Sequence, residues 1–210
     1  MNTQSVLQDV MNTSNRVETS GHETASQHEW FYFEDASGGN MNSNTLVLKK
    51  HTNRSPNVKL EYSFDGNTWN KWGTTSTTAL TLSIPTNGRV YLRGLNNSFG
   101  SFDGFNYFGS TRKVRCGGVI SSLLTNSKEP LLDLTGHSYA YRQLFAGMTN
   151  LLNAPELPAT TLSGYCYYYM FEDCESLTTV PALPATTLAL YCYAGMFYNC
   201  PLLGQYGIRS

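Results

Sequence analysis

The cysteines are the residues of this chain whose type and spacing most readily suggest chemistry. Four of them, Cys166, Cys174, Cys192 and Cys200, follow the pattern C-x7-C-x17-C-x7-C. Zinc sites pair their Cys or His ligands about two to five residues apart, so this spacing does not predict a metal site. Cys166 recurs as Cys192, and Cys174 as Cys200. Such cysteines serve as buried free thiols or as disulfides between adjacent copies, and Cys116 has no partner in either scheme.

Acidic residues and histidines are two further sources of chemistry. Glu172, Asp173 and Glu175 cluster in the sequence, and a pair of carboxylates could serve a glycosidase or a weak calcium site. The commoner use of such a cluster is a solvated surface. The histidines are far apart: His22, His28, His51 and His137. No nucleophile elbow, phosphate loop or His-Glu-x-x-His motif occurs. The sequence therefore predicts no catalytic residue, no cofactor and no metal site.

An internal repeat in the second half of the chain must position these side chains. Its step is shown by three series: Tyr139, Tyr165 and Tyr191; Phe145, Phe171 and Phe197; and Leu151, Leu177 and Leu203. Each series advances by 26 residues. Residues 139–164 and 165–190 are identical at 11 of 26 positions, where chance would give roughly one or two. A third copy begins at Tyr191, which predicts a repeat protein.

Each copy is predicted to contain an extended segment followed by a short helix. Residues 176–184 are β-branched and interrupted by prolines, as in an edge strand. Residues 185–197 have helical spacing, with Thr186 or Thr187 as the N-cap. The side chains expected to point inward are Leu188, Tyr191, Cys192, Met196 and Phe197. Because a copy can bury this face only against its neighbours, the stack is expected to fold as one unit.

Positions that differ between copies at the same register predict the outward face, because stacking places no demand on them. These positions are Arg142, Tyr168 and Ala194; Gln143, Tyr169 and Gly195; and Ala146, Glu172 and Tyr198. Tyrosine combines a rigid ring with a polar tip and is common in contact surfaces. The candidate binding surface is therefore Tyr168, Tyr169, Glu172 and Tyr198.

Residues 29–116 have the short alternating runs and turn residues of an antiparallel β-sandwich with immunoglobulin-like architecture. Seven strands are predicted, at residues 30–34, 45–50, 58–64, 68–72, 79–84, 89–93 and 113–116. Asp65-Gly66 and Asn87-Gly88 predict tight turns. Residues 96–109 are rich in aromatic residues and glycine, and are expected to form a loop that packs against the following region.

The segments that flank the β region have separate predicted roles. Residues 1–28 are predicted to form an amphipathic docking helix and a tether; the apolar face of the helix consists of Val6, Leu7, Val10 and Met11. A frayed terminus without a role is the alternative. Residues 117–138 hold four apolar residues at helical spacing and are predicted to cap the repeats of residues 139–210.

Composition argues against two classes of partner. The net charge is −1 and only 14% of residues are charged, so no long-range field would attract nucleic acid. No stretch is long and apolar enough to cross a bilayer, so membrane insertion is not expected. Residues 1–21 have neither a basic leader nor an apolar run, so a secretory signal peptide is not expected either.

The repeat motif resembles a known family. The series Leu-Pro-Ala-Thr-Thr-Leu-x-x-Tyr-Cys-Tyr-x-x-Met-Phe-x-x-Cys resembles the BspA-like leucine-rich repeats of gut bacterial surface proteins and of phage proteins. Residues 58–94, with Tyr-Ser-Phe-Asp-Gly-Asn-Thr-Trp, look like the β-domain that often precedes such repeats. The resemblance covers roughly residues 30–203. It implies a mainly β protein with an α/β solenoid, and surface binding without catalysis.

Together these observations predict a non-enzymatic virion component of a phage, such as a head fibre, decoration or tail-associated protein. Its N-terminal segment would bind other virion or surface proteins, and its repeats would bind a host protein or glycan. A bacterial cell-surface adhesin is the alternative, and a carbohydrate-active enzyme is a distant one. The sequence leaves open whether the chain forms a homo-oligomer, since it contains no heptad seam.

Overall fold

The computed structural model describes residues 28–38 and 43–203, and the predicted docking helix at Val6, Leu7, Val10 and Met11 lies outside these residues. The described residues are mainly β, with one short helix, α1 (Ser122–Thr125). Their strands are β1 (Phe31–Asp35), β2 (Asn44–Lys50), β3 (Lys59–Ser63), β4 (Asn70–Gly73), β5 (Leu80–Ile84), β6 (Arg89–Gly94), β7 (Asn106–Ser110) and β8 (Val114–Gly117). The described residues contain no helix that is long and apolar enough to span a membrane.

These strands form two antiparallel sheets, with the orders β4-β3-β6-β1-β8 and β5-β2-β7. Burial alternates along them because successive side chains point to opposite faces: Leu46 and Leu48 of β2 are both fully buried, while Thr45 and Val47 are only partly so. All seven strands predicted from the sequence are present within one or two residues. The β3–β4 hairpin turns at Gly66, which has a φ of 73°.

Strand β7 was not predicted, and it lies largely within the segment expected to be a loop. Its sequence, Asn-Tyr-Phe-Gly-Ser, lacks the β-branched residues that mark strands. Pairing with β2 forms it, with Leu48 opposite Phe108, and Phe108 is fully buried. The loop prediction is therefore wrong for residues 106–109.

The repeat region is held together by backbone hydrogen bonds between successive copies. Alternate N–H groups of residues 139–147 donate to carbonyl groups of residues 164–172, at N···O distances of 2.7 to 3.0 Å. Alternate N–H groups of residues 165–173 donate in the same way to residues 190–198, at 2.9 to 3.0 Å. Equivalent residues of the three copies therefore lie side by side.

Each copy folds as consecutive turns, and the predicted helix at residues 185–197 is wrong. Every fourth residue is left-handed, with φ between 50° and 72°: Tyr139, Gln143 and Gly147; Tyr165, Tyr169 and Asp173; Tyr191, Gly195 and Asn199. A left-handed residue at every fourth position cannot belong to a right-handed helix. A period of four still places apolar residues on one side, which explains why the sequence pattern looked helical. The predicted edge strand at residues 176–184 is also absent, and the parallel contact between copies lies at Thr161 and Thr187.

Burial of a repeat side chain depends on the copy that follows it. Leu162 is 4% exposed, and its N–H donates to the carbonyl of Thr187 in the next copy. The equivalent Leu188 is 62% exposed, and Tyr191 is 54% exposed, so neither points inward as predicted. Cys192 and Met196 are buried as predicted, and Phe197 is half-buried. This dependence on neighbours matches the expectation that a copy buries its apolar face only in a stack.

The β region covers the first copy directly. N–H groups of Phe99, Gly100 and Phe108 donate to carbonyls of Ala140, Tyr139 and Leu144, at 2.8, 3.2 and 2.8 Å. Residues 96–109 therefore pack against the repeats, as predicted. In the core, the ring of Phe145 lies 6.1 to 6.3 Å from those of Phe31, Phe33 and Phe108. The sheets and the repeats thus share one apolar core.

Candidate binding surface

Three columns of stacked aromatic rings run through the repeats, and one of them lies at the surface. Two columns start from fully buried residues, Tyr141 and Phe145. The third consists of Tyr139, Tyr165 and Tyr191, whose ring centroids lie 4.9 and 5.2 Å apart along the column. These three side chains are only partly buried or exposed. The 26-residue period therefore produces a surface line of tyrosines, which we call the tyrosine column.

The tyrosine column forms one wall of an open cleft of about 350 Å³. Its lining residues are Phe102, Tyr139, Arg142, Tyr165, Tyr168 and Tyr191. Tyr168 stands nearly perpendicular to the column, with its ring 5.5 Å from Tyr165 and 6.4 Å from Tyr191. Phe102 reaches in from the β region and is 83% exposed. We call this site the tyrosine cleft. Its walls are aromatic, and the polar side-chain groups that line it are the tyrosine hydroxyls and one guanidinium, that of Arg142.

Arg142 supplies the cation of the cleft. Its Nη1 donates to the carbonyl oxygens of Ser101 and Phe102. Its guanidinium carbon lies 5.8 Å from the ring centroid of Tyr139 and 5.5 Å from that of Tyr168, within the range of cation–π attraction. Its Nε is shielded from solvent and has no hydrogen-bond partner among the described residues. These contacts hold the charge at the base of the cleft without neutralising it.

The backbone of Gly100 supports the arginine. A Cβ atom at this position would lie 2.8 Å from Cβ of Arg142, closer than real Cβ contacts allow. Only glycine lets the loop approach this closely while its N–H donates to the Tyr139 carbonyl. The β region therefore sets the position of Arg142.

The predicted binding surface is contiguous and adjoins the cleft. Tyr168 lines the cleft itself, and its ring lies 4.6 Å from that of Tyr169. Tyr169 in turn lies 6.1 Å from Tyr198, which is 61% exposed. Glu172 accepts a hydrogen bond from Nε2 of Gln143 at 3.2 Å. The rings of the three predicted tyrosines are therefore contiguous, and Glu172 contacts Gln143, which has the register position of Tyr169 in the first copy.

Sequence reasoning missed most of the cleft. The helical spacing predicted for residues 185–197 placed Tyr191 on the inward face, and it was therefore assigned to the core. Arg142 was placed on the outward face but not in the binding surface. Phe102 belongs to a distant part of the chain. No sequence signal separates this column from the series Tyr141, Tyr167 and Tyr193, which has the same residue type and the same period but begins at a fully buried tyrosine.

Asp173 and two of the histidines contact neighbouring side chains or backbone outside the cleft. Asp173 accepts a hydrogen bond from Nδ2 of Asn199 at 2.7 Å. His51 stacks on Phe105 with ring centroids 4.5 Å apart, and His137 Nδ1 lies 2.9 Å from the Asn97 carbonyl oxygen. Across residues 28–38 and 43–203, no group of three or more His, Cys, Asp or Glu could hold a metal ion.

Burial dominates the chemistry of the cysteines, which are all free thiols. Desolvation raises the pKa of Cys166 to about 12 and also raises the pKa of Cys116, Cys174 and Cys200. Cys174 and Cys200 donate to the carbonyl oxygens of Phe145 and Phe171, at 3.1 and 3.0 Å. Thiolates are the reactive form, so these groups are poor nucleophiles in the folded protein.

The cysteines are expected to differ sharply in accessibility. Cys200 is half-buried, while the other four are buried, so a thiol-specific chromogenic reagent should modify at most one thiol in the native protein. All five should react after denaturation without reductant. Fewer than five equivalents in the denatured protein would reveal a disulfide between copies. Rapid modification of two or more thiols in the native protein would contradict the burial.

Two larger hollows, of about 500 Å³ each, share no lining residue with the tyrosine cleft. One contains Cys116 and Asn153, whose polar groups are bonded to each other: Asn153 Nδ2 donates to the Cys116 carbonyl at 2.8 Å. The other lies beside β3 and β4, where Glu61 is already paired with Arg93 at 2.7 Å. Of these three sites, the tyrosine cleft is the one that combines exposed aromatic rings with a cation that has no ion-pair partner among the described residues, so we take it as the candidate site.

Comparison of the chain with models of known protein families, with curated proteins and with solved structures gave no match.

Proposed function

We propose that this chain is a non-enzymatic structural and binding protein, and that it is a phage virion component such as a head fibre, decoration or tail-associated protein. In this proposal, the 26-residue copies are coils of a BspA-like leucine-rich-repeat solenoid, and the two sheets are an immunoglobulin-like sandwich that carries it. The N-terminal segment attaches the chain to the particle. The repeats face outward and adhere to a host or environmental surface.

The observation that carries the binding role is the tyrosine cleft together with the adjoining tyrosines. Exposed rings normally cost solvation free energy, and contiguous exposed aromatic surface marks contact sites. Tyrosine suits such sites because it has few rotatable bonds and offers both a ring face and a hydroxyl. The stacked copies and the shared core around Phe145 hold these rings rigidly. A rigid site loses little conformational entropy on binding.

Mass spectrometry of purified particles tests the virion assignment. The polypeptide should be present in particles made by the strain that encodes it, in a fixed copy number. A variant lacking residues 1–28 should be absent from those particles if this segment is the attachment point. Recovery of the chain in the bacterial cell envelope, and not in particles, would instead favour the cell-surface adhesin.

Replacement of Tyr168 with alanine should weaken surface binding about tenfold, because a central tyrosine in an interface contributes about 1 to 2 kcal/mol. The measurement is flow cytometry of the fluorescently labelled full chain on the bacteria that the particle infects. Tyr91→Ala, which removes a half-buried tyrosine from the outer face of β6, is the matched control and should bind normally. Equal binding by both variants would remove the cleft from the adhesion surface.

A further inference from the structure

We infer that the tyrosine cleft binds an acidic sugar, a pyranose unit that carries a carboxylate, within a surface glycan. This inference rests on the proposed surface-binding function and names the ligand class of that same site.

The positive charge of Arg142 favours an anionic ligand. Its hydrogen-bond acceptors among the described residues are two neutral carbonyl oxygens, at Ser101 and Phe102. Its Nε is buried without a partner, and among the described residues no carboxylate lies within ion-pairing distance of the guanidinium. A carboxylate accepts charge-assisted hydrogen bonds from a guanidinium, and these are stronger than bonds to neutral acceptors. Because Nε is shielded from solvent and Nη1 already donates twice, Nη2 is the nitrogen left to meet a ligand. An anionic group in the cleft would therefore supply the partner that Arg142 lacks among the described residues.

The walls of the cleft suit a sugar ring. Tyr191 is 54% exposed and Phe102 is 83% exposed, so both present open aromatic surface beside the cation. Aromatic surface packs against the C–H groups of a pyranose, while tyrosine hydroxyls donate to and accept from its hydroxyls. The lining contains no leucine, methionine or valine, the residues that dominate purely apolar peptide grooves. A ligand that is both polar and flat-faced fits this lining best.

The backbone beside the cleft argues against a peptide ligand added as a strand. Strand addition needs free N–H and C=O groups. Here the N–H of Tyr139 donates to Gly164 and that of Tyr165 donates to Leu190, at 3.0 and 2.9 Å, while the Tyr139 carbonyl accepts from Gly100. Recognition at this wall must therefore use side chains. Nucleic acid is disfavoured by the net charge of −1, since the chain has no wider positive field.

Binding of the full chain to immobilised oligosaccharides tests the inference. The probes are uronic-acid and sialic-acid oligosaccharides, their neutral methyl esters, a sulfated neutral series and an acidic peptide. The wild-type chain should bind the carboxylated sugars at least about tenfold more tightly than the methyl esters, because the charge-assisted hydrogen bond to the guanidinium is lost in the ester. Arg142→Gln should abolish that difference, and Arg142→Lys should restore only part of it.

Controls separate loss of the site from loss of the fold. Lys71→Gln removes an exposed cation from β4, at the far edge of the larger sheet, and should leave binding unchanged. Circular dichroism melting of each variant checks folding, and Tyr168→Ala gives a second route to the site if Arg142→Gln fails to fold. Loss of carboxylate binding in folded Arg142→Gln supports the inference.

Three results would overturn it: equal binding of acids and esters, preference for the sulfated series, or preference for the acidic peptide. Each of these leaves surface binding intact, since labelled chain would still adhere to cells. Failure of the chain to adhere to any cell surface would instead contradict the proposed function itself.

Discussion

Replacing Phe145 with alanine is expected to lower the free energy of unfolding by about 3 to 5 kcal/mol, the usual loss for a fully buried phenylalanine. Its ring is 0% exposed and lies between the Phe171 ring of the next copy, 5.3 Å away, and the Phe31, Phe33 and Phe108 rings of the sheets. The cavity would therefore open at the centre of the shared core. Thermal unfolding followed by circular dichroism should show a Tm lowered by roughly 10 °C.

Phe197→Ala is the matched control, because Phe197 has the same register position and is only half-buried. Its loss should cost no more than about 2 kcal/mol. Since Phe145 joins the sheets to the repeats, its replacement should shift a single cooperative transition. A separate sheet transition left at the wild-type temperature would show that the two regions unfold independently and that the shared core couples them weakly.

Gly118→Ala is expected to destabilise the fold by more than about 3 kcal/mol, through a strained backbone and a steric clash together. Gly118 has a φ of 72°, and a Cβ atom added there would lie 2.2 Å from the carbonyl oxygen of Trp30. The clash is with backbone, so no side chain can rotate to relieve it. The chain would have to separate at the bridge where the Val119 N–H donates to the Glu29 carbonyl.

Gly147→Ala isolates the backbone contribution of the same substitution. Gly147 also has a φ of 72°, but nothing lies within 4 Å of an added Cβ. It should therefore cost only about 1 to 2 kcal/mol, the penalty of a left-handed alanine. Chemical denaturation of both variants measures the difference. Equal losses would mean that the Trp30 carbonyl moves freely and that the clash is relieved without cost.

Phe145 lies at the contact between the β region and the repeats, on which the candidate site depends. Phe102 and the carbonyls that hold Arg142 belong to the β region, whereas the tyrosine column belongs to the repeats. A site built from two regions keeps its geometry only while their shared core is intact. We therefore expect Phe145→Ala to weaken surface binding as well, although Phe145 does not line the cleft.

The β region was predictable because its information is local. Alternation along Leu46 and Leu48, and the glycine at the β3–β4 turn, each act within a few residues. Strand β7 was not predicted, since its two aromatic residues lie between Asn, Gly and Ser in a glycine-rich segment and pairing with β2 forms the strand. The turns of the repeat were mistaken for a helix because both place a residue on the same side after about four positions. The spacing of apolar residues does not reveal that φ is positive at Tyr165 and Tyr169.

By itself, the sequence determined the 26-residue period and the positions of seven of the eight strands, because both depend on the order of side chains along the chain. Only the tertiary structure decided where the cleft lies. Arg142, Tyr168 and Tyr191 come from three successive copies, and Phe102 comes from a loop of the β region. Residues so far apart in the chain meet only when the copies stack and the sheets pack on the first of them. The physical reason is that this meeting is set by the shared apolar core and by backbone hydrogen bonds between copies, neither of which any local pattern specifies.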